Sequence, residues 1–463
     1  MDADTYDAIV IGAGQAGVPL TTGLADAGWR VALVEREHVG GTCVNEGCTP
    51  TKTMVASGRV AYLARRASDY GVDVSSVSVD MRAVRQRKRA IVDEFRTGNE
   101  KGIADSGAEL LMGAARFTGE HTLDVAMNDG GTRHVTARVI VINTGERPSI
   151  PRVEGIDSVP YLTSTTIMEL DEVPVHLIVL GGGYVGLEFG QLFRRLGSQV
   201  MIVQRGGQLM GREDDDVAEA VAEIMRGDGI DLRLNTQVAS VQPTAEGGVS
   251  VTLNGSGGSQ SITGSHLLVA TGRQPNTDDL SLDAAGIEAN ERGYVRVNER
   301  LGTNVAGIYA LGDVKGPPAF THISYDDYRI LAEHLLRNGQ RTTTDRLVPY
   351  TVFIDPQLGR VGLSEREARE QGRNIRIATI PMSSVARALE TAETRGLMKA
   401  IIDAETDQIL GCAILGLEGG EVMSMIQLAM LGNLPYTALR DGVFSHPSLA
   451  ESLNTLFSNV GDG

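Results

Sequence analysis

A strand that runs straight into a glycine turn and then a helix occurs twice in this chain, and nothing else in the sequence restricts its fold as much. Residues 6–11 form a strand-like run, apolar except at Asp7, followed at once by Gly12-Ala13-Gly14-Gln15-Ala16-Gly17. With a strand before and a helix after, backbone N–H groups and the positive end of the helix dipole are placed to hold a pyrophosphate. The next strand, 31–34, ends at Glu35, where a carboxylate can accept from a ribose hydroxyl. The second copy has its strand at 176–180, its turn at Gly181-Gly182-Gly183-Tyr184-Val185-Gly186, its helix at 187–196 and its next strand at 199–203. Two such units imply two dinucleotides, commonly a flavin and a nicotinamide. The second unit's tip is Gln204-Arg205 rather than an acid. An arginine suits a 2′-phosphate that a glutamate would repel, so NADPH is expected ahead of NADH.

Between the two turns lies Gly40-Gly41-Thr42-Cys43-Val44-Asn45-Glu46-Gly47-Cys48-Thr49-Pro50-Thr51-Lys52, with two of the chain's three cysteines. Their spacing permits a small disulfide ring at a helix N-terminus, where the dipole and a nearby lysine favour thiolate chemistry at neutral pH. A zinc site would need two further Cys or His ligands, and the remaining cysteine, Cys412, stands far off in an apolar run, so no metal ligands are assigned. A purely structural bridge is a poor reading, because so short a loop constrains the unfolded chain little. Cys412 itself reads as a buried strand thiol.

At 463 residues the chain is long enough for about three domains. Its net charge of −17 argues against nucleic-acid or anionic-membrane partners, which need a positive field. The acidic start, the lack of an apolar run of about 18 residues and the scarcity of cysteine make a cytoplasmic setting the expectation.

Other segments are less decisive alone. Residues 82–95 carry Arg82, Arg85, Arg87, Lys88 and Arg89, expected as a solvated helix face. The strand at 139–143 closes on Thr144-Gly145-Glu146-Arg147-Pro148, and Pro148, Pro151 and Pro160 put a domain edge near residue 150. Glu213-Asp214-Asp215-Asp216 is expected to open a helix. Asp313, after the strand ending in Ala310-Leu311-Gly312, either holds a cofactor hydroxyl or caps the next helix. From about residue 347 strands alternate at 350–354, 376–380, 397–402 and 409–415, with helices beyond. His446 and Glu451 stand five residues apart, as a base and its orienter or as a structural pair.

Taken in order, Gly12-x-Gly14-x-x-Gly17, Cys43-x4-Cys48-x3-Lys52, Gly181-x-Gly183-Tyr184-x-Gly186-x-Glu188, Thr271-Gly272-Arg273, Gly312-Asp313 and His446-Pro447-x3-Glu451 resemble the flavoprotein disulfide reductases. That group contains dihydrolipoamide dehydrogenase, glutathione reductase and mercuric reductase. The resemblance covers nearly the whole chain. It implies an α/β protein with two Rossmann-like dinucleotide-binding domains and a C-terminal α+β dimerisation domain. The implied boundaries are 1–150 and 274–346 for FAD, 151–273 for NAD(P) and 347–463 for the interface.

By the same resemblance, FAD lies on the first turn, with Glu35 on its adenosine ribose, Asp313 near the ribityl chain, and Gly41, Thr42, Thr144, Gly145 and Gly312 as further contacts. Lys52 pairs with Glu188 beside the flavin. Tyr184 gates a nicotinamide pocket that includes Gly181, Gly183, Gly186, Gln204, Arg205 and Gly272. Cys48 is the thiol beside the flavin and Cys43 the one facing substrate. A homodimer delivers His446 and Glu451 to the partner's cysteines.

Within the group, Gly181 to Phe189 and Arg387-Ala388 with Thr394-Arg395-Gly396 lean toward the mercuric-reductase-like branch. Mercury handling is nevertheless expected to be inefficient. The mercury enzymes carry a C-terminal cysteine pair where this chain reads Ser458-Asn459-Val460-Gly461-Asp462-Gly463, and usually a tyrosine where it has His446. Glu46 replaces a usually apolar residue between the cysteines, and either disfavours anionic disulfides or simply faces solvent. The expected function is NAD(P)H-dependent reduction of a small disulfide, a quinone or a soft metal ion. The alternative is dihydrolipoamide dehydrogenase, oxidising a dithiol with NAD.

Overall fold

The computed structural model describes residues 3–255 and 257–461. By its internal contacts the chain forms two compact units, one of residues 1–53, 86–149 and 272–346, the other of 54–85, 150–271 and 347–463.

The first unit is built on a parallel sheet. From one edge its strands are Ile308–Ala310, Thr132–Ile142, Asp4–Ile11, Val31–Glu35 and the start of Glu109–Gly119. Ile9 sits beside Ala32 on one side and Ile140 on the other. Alternation along the central strand feeds two cores. Ile9 and Ile11 pack with Phe117 and Leu123, while Ala8 and Val10 pack with Leu20 and Leu24 of the helix Gly17–Asp26. The central strand's residues 8–11, buried on both faces, must all be apolar, which is why that stretch reads as an unbroken run. The end of Glu109–Gly119 and the start of Thr132–Ile142 pair antiparallel with Thr122–Met127, and Phe117, Leu123 and Val135 carry the core onto that extension.

The second unit carries another parallel sheet, in the order Asp231–Arg233, Gln199–Val203, His176–Leu180, His266–Val269 and Tyr161–Leu162. An antiparallel sheet of Gln237–Pro243, Val249–Gly255 and Gly258–Gly264 stands beside it in sequence. The helix Tyr184–Leu196 buries Phe189 and Phe193, and its last turn holds Arg194 and Arg195, where cations suit the dipole. The C-terminal part is a five-stranded antiparallel sheet, Tyr350–Val352, Gln357–Gly362, Ile409–Gly416, Leu397–Asp403 and Ile375–Pro381. The helices Gly419–Leu431 and Ser452–Ser458 bring Val422, Ile426, Leu453 and Phe457 into one core with Ala400 and Ile414.

Three expectations about local structure are modified. The basic run lies on a helix, Met81–Ser106, but it is not a uniformly solvated face. Lys88 is buried, Arg85 donates to the Glu169 carbonyl at 2.8 Å, and Arg87 donates to the Thr53 carbonyl at 2.8 Å. The acidic run does open a helix, Asp215–Gly227, with Asp215 and Asp216 in its first turn, yet Asp214 accepts from the Glu365 and Arg366 N–H groups, both at 3.0 Å, at the start of a different helix. Glu213 is buried, paired with Arg360 at 3.3 Å and bonded by the Tyr350 hydroxyl. The strand Gln357–Gly362 goes unannounced in the sequence because Arg360 interrupts its apolar pattern. Among the described residues no helix is long and apolar enough to cross a membrane.

Candidate active site

The first glycine turn is tight because the backbone leaves no room for side chains. A Cβ on Gly12, whose φ is +104°, would lie 2.4 Å from the Asn143 carbonyl oxygen, and one on Gly17 would lie 2.1 Å from the Gly12 oxygen. Asn143 Nδ2 also donates to that Gly12 oxygen at 3.1 Å, so the end of one strand clamps the turn that follows another. Glu35 closes the next strand. Its carboxylate accepts from Ala13 N and Glu37 N, both at 2.9 Å, which fixes it over the turn. Beside it is a cleft lined by Gly12, Arg36, Ala115, Thr144, Asn276 and Leu280. Thr144 is tied to Asn276 in both directions, hydroxyl to carbonyl and amide to carbonyl, each at 2.8 Å. Gly145 accepts from Asn276 N at 2.9 Å.

Asp313 lies in the short helix Gly312–Lys315, its carboxylate 3.5 Å from the Ser324 hydroxyl. Burial, and then the neighbouring Glu146, pushes its carboxyl up to about 6, while Arg273 and Lys315 pull the other way. The acceptor at the strand tip, the cleft beside it and the partly buried carboxyl together fit the adenosine, pyrophosphate and polyol parts of FAD.

The cysteines occupy the same unit. Cys43 lies in the helix Gly41–Asn45 with Gly41 and Thr42 before it, and Cys48 opens the helix Cys48–Arg65 that carries Lys52 one turn on. Both are thiols, and they hydrogen-bond each other. That bond, then burial, raises the Cys43 thiol, whereas the Thr321 hydroxyl lowers it. Asn45 holds the loop between them. Its Nδ2 donates to the carbonyls of Val39 and Gly41 at 3.0 Å each, and its Oδ1 accepts from Arg96 Nε at 3.0 Å and from a second Arg96 nitrogen at 2.8 Å. Asn45, Arg96, Asn143 and Thr321 were not singled out from the sequence. The contacts that join Asn45 to Arg96, Asn143 to Gly12 and Thr321 to Cys48 are remote along the chain, and none stands in a recognisable spacing.

In the second unit, Gly181 and Gly186 repeat the close approaches of the first turn. The difference lies at the strand tip. Gln204 Oε1 accepts from Gly182 N at 3.1 Å, the position that Glu35 fills with a charge. The loop after it returns to the turn, with Met210 N donating to the Gly182 carbonyl at 3.0 Å. Arg205 in that loop is exposed, while Arg233 is paired with Asp231 at 2.9 Å. A Cβ on Gly183 would meet nothing, so the turn is open there, and Tyr184 stands partly exposed at the helix start. Glu188, on the same helix, is buried and accepts from Phe353 N at 2.9 Å. Gly272 belongs to the first unit, where its carbonyl accepts from Ser149 N at 3.0 Å.

His446 Nδ1 lies 2.8 Å from one Glu451 oxygen and 3.0 Å from the other, with the imidazole largely exposed. Such a contact selects the tautomer that leaves Nε2 free to take a proton. Cys412 is fully buried in Ile409–Gly416, and burial pushes its thiol up to about 12. Among the described residues no group of His, Cys, Asp and Glu is arranged to hold a metal ion.

Comparison with known proteins covers the whole of this architecture. Residues 6–327 match the pyridine nucleotide-disulphide oxidoreductase family, and residues 348–457 match its dimerisation domain. The chain is 40% identical to the probable pyridine nucleotide-disulfide oxidoreductase RclA of Escherichia coli, covering 98% of this chain and 99% of that one. It is 36% identical to the mercuric reductase of Streptomyces lividans, over 97% and 94% of the two chains. A dihydrolipoyl dehydrogenase of Thermus scotoductus is 32% identical over 97% and 96%. Among solved structures, the Cu(II) complex of the HOCl-induced flavoprotein disulfide reductase RclA from Escherichia coli superposes with a TM-score of 0.90 at 39% identity, covering 99% of each chain.

Proposed function

Because this chain belongs to the pyridine nucleotide-disulphide oxidoreductases, FAD- and NAD(P)H-dependent enzymes acting on sulfur groups, we propose that it takes electrons from NADPH and reduces a small disulfide or a soft metal ion through Cys43 and Cys48. The observation that carries this reading is the mutual hydrogen bond of the two thiols, in the unit that also holds the Glu35 cleft and Asp313. A soft metal acceptor draws support from relatives that are named for mercury or solved with Cu(II). NADPH draws support from the neutral Gln204 and the exposed Arg205, since neither repels a 2′-phosphate.

FAD, when bound, supplies the two-electron relay between nicotinamide and sulfur. We assign it to residues 1–150 and 274–346, with Glu35 on the ribose and Asp313 on the polyol. Residues 151–273 take the nicotinamide dinucleotide, with Tyr184 over its entrance. Lys52 places a cation one turn beyond Cys48 and favours negative charge accumulating there. Residues 347–463 form a homodimer contact through which His446, oriented by Glu451, exchanges a proton with the partner subunit's Cys43 during disulfide exchange. A chain with only three cysteines fits a reducing cytoplasm.

The test is anaerobic addition of NADPH to the FAD-loaded protein, followed by a steady-state panel of disulfides, quinones and metal ions on wild type and Cys43→Ser. Two new reactive thiols per chain, and acceptor turnover that Cys43→Ser abolishes, are expected. Dihydrolipoamide oxidised with NAD faster than any disulfide is reduced with NADPH would replace this reading with the dehydrogenase one.

A further inference from the structure

The acidic run Glu213-Asp214-Asp215-Asp216 takes no part in the chemistry assigned to Cys43 and Cys48, yet its first two members are buried. They end the loop 204–214, which leads from the strand Gln199–Val203 through Gln204 and Arg205 to the helix Asp215–Gly227. Gly206, Gly207 and Gly211 lie in this loop, and so much glycine makes a single loop shape entropically costly. Hydrogen bonds run along it toward the acids. Gln204 Nε2 donates to the Gln208 carbonyl at 3.4 Å, and Gln208 Nε2 donates to the Glu213 carbonyl at 3.2 Å. At that end three strands of the C-terminal sheet take hold, all within the second unit. Glu213 meets Arg360 Nε at 3.3 Å and accepts from the Tyr350 hydroxyl. Asp214 lies 3.2 Å from Nζ of the buried Lys399, which also reaches Glu365 at 2.8 Å. Arg366 donates to the Gly211 and Arg212 carbonyls at 3.2 and 3.0 Å.

We propose that Glu213 is a positioning residue for the nicotinamide dinucleotide: by clamping the end of the loop to the C-terminal sheet, it holds Arg205 where a 2′-phosphate is met. This inference rests on the reading of Arg205 as the phosphate contact. Arg205 is exposed, so its place is set by the loop backbone rather than by packing of its own side chain. The start of the loop is tied by Gly182 N to Gln204 Oε1 at 3.1 Å and by Asn235 N to the Gly206 carbonyl at 3.0 Å. Its end depends on buried charge. A buried carboxylate against a buried guanidinium is a stiff anchor, because parting them leaves each unpaired where charge is poorly solvated. Arg360 is itself held, with Nη1 donating to the Val361 and Cys412 carbonyls at 2.9 and 3.1 Å. The clamp thus carries the geometry of the sheet to the loop and acts through Arg205.

The experiment uses FAD-loaded protein and the oxidised nucleotides, which bind without turnover. Calorimetry gives Kd for NADP+ and NAD+ with wild type, Glu213→Gln, Tyr350→Phe, Arg205→Ala and the double variant Arg205→Ala/Glu213→Gln, while flavin absorbance reports that each is folded. Glu213→Gln keeps the side chain's shape and removes the charge facing Arg360. It is expected to weaken NADP+ about tenfold and NAD+ by less than about twofold. Tyr350→Phe, a gentler change, weakens NADP+ about threefold and decides the matter by itself should Glu213→Gln not fold. In the Arg205→Ala background Glu213→Gln adds no more than about twofold, because both act through one contact. Wild-type NADP+ affinity in the clamp variants, an equal loss for NAD+, or full additivity with Arg205→Ala overturns the proposal. An Arg205→Ala protein that binds NADP+ like wild type would instead refute the reading of Arg205, so the two failures are distinguishable.

Discussion

Arg96 grips Asn45 with two nitrogens, at 3.0 and 2.8 Å, and Asn45 in turn grips the carbonyls that lead into Cys43. The amide's orientation follows from the guanidinium, because only an oxygen facing Arg96 leaves Nδ2 pointing at the carbonyls. Arg96→Met is expected to strand the Asn45 oxygen, at a cost of about 1–3 kcal/mol. Thermal unfolding of the FAD-loaded protein reads the loss, together with faster alkylation of Cys43. An unchanged melting temperature would mean that water replaces the arginine at no cost.

The contrast between Glu35 and Gln204 at equivalent strand tips leads to a nucleotide prediction. Arg205→Ala is expected to raise the KM for NADPH about tenfold, equal to about 1.4 kcal/mol, and to leave the KM for NADH unchanged. Gln204→Glu should shift the preference toward NADH by repelling the 2′-phosphate. Parallel shifts for both nucleotides would remove Arg205 from the phosphate.

If His446 works through Glu451, then Glu451→Gln should slow reoxidation by a disulfide acceptor about ten- to a hundredfold, part of the usual acid–base contribution. Stopped-flow separates the half-reactions. Reduction by NADPH should keep its wild-type rate, and a slowdown there as well would give the pair a structural role.

Cys412 is expected to stay silent toward thiol reagents. Burial lifts its thiol to about 12, so the native reduced chain should expose two of its three cysteines and release the third only on unfolding. Quantitative labelling with and without guanidinium gives the count.

Asp313 has an ordinary carboxyl value of 3.8 raised to about 6 in the folded chain, first by burial and then by Glu146. The native state thus binds this proton more tightly than the unfolded state. Stability must fall as pH rises from about 4 to about 6, by about 1–3 kcal/mol from this group. Asp313→Asn should flatten that slope in denaturant titrations of the protein, and an equal slope in the variant would place the raised carboxyl elsewhere.

What could be read from the residues in order was whatever local geometry dictates. Gly12 and Gly181 announce themselves because any side chain would strike the neighbouring strand's carbonyl, and the strand tips follow about twenty residues after each turn. The Cys43 to Cys48 loop is equally local. Its supports are not, since Asn45 meets Arg96 at a separation of 51 positions and Cys48 meets Thr321 at 273. No periodicity encodes such contacts. Charged residues misled for the same reason. Lys88 and Arg360 look like solvent-facing groups until the fold buries them, Arg360 against Glu213.

The sheet that carries Gly12 and Glu35 takes its edge strand from Ile308–Ala310, and Asp313 follows directly behind it. A ribosome releases the glycine turn early and this closing strand only after the entire second dinucleotide segment has been translated. The nascent chain therefore has an unpaired edge along Thr132–Ile142 until that strand arrives, and the first unit cannot complete its sheet before the final third of synthesis.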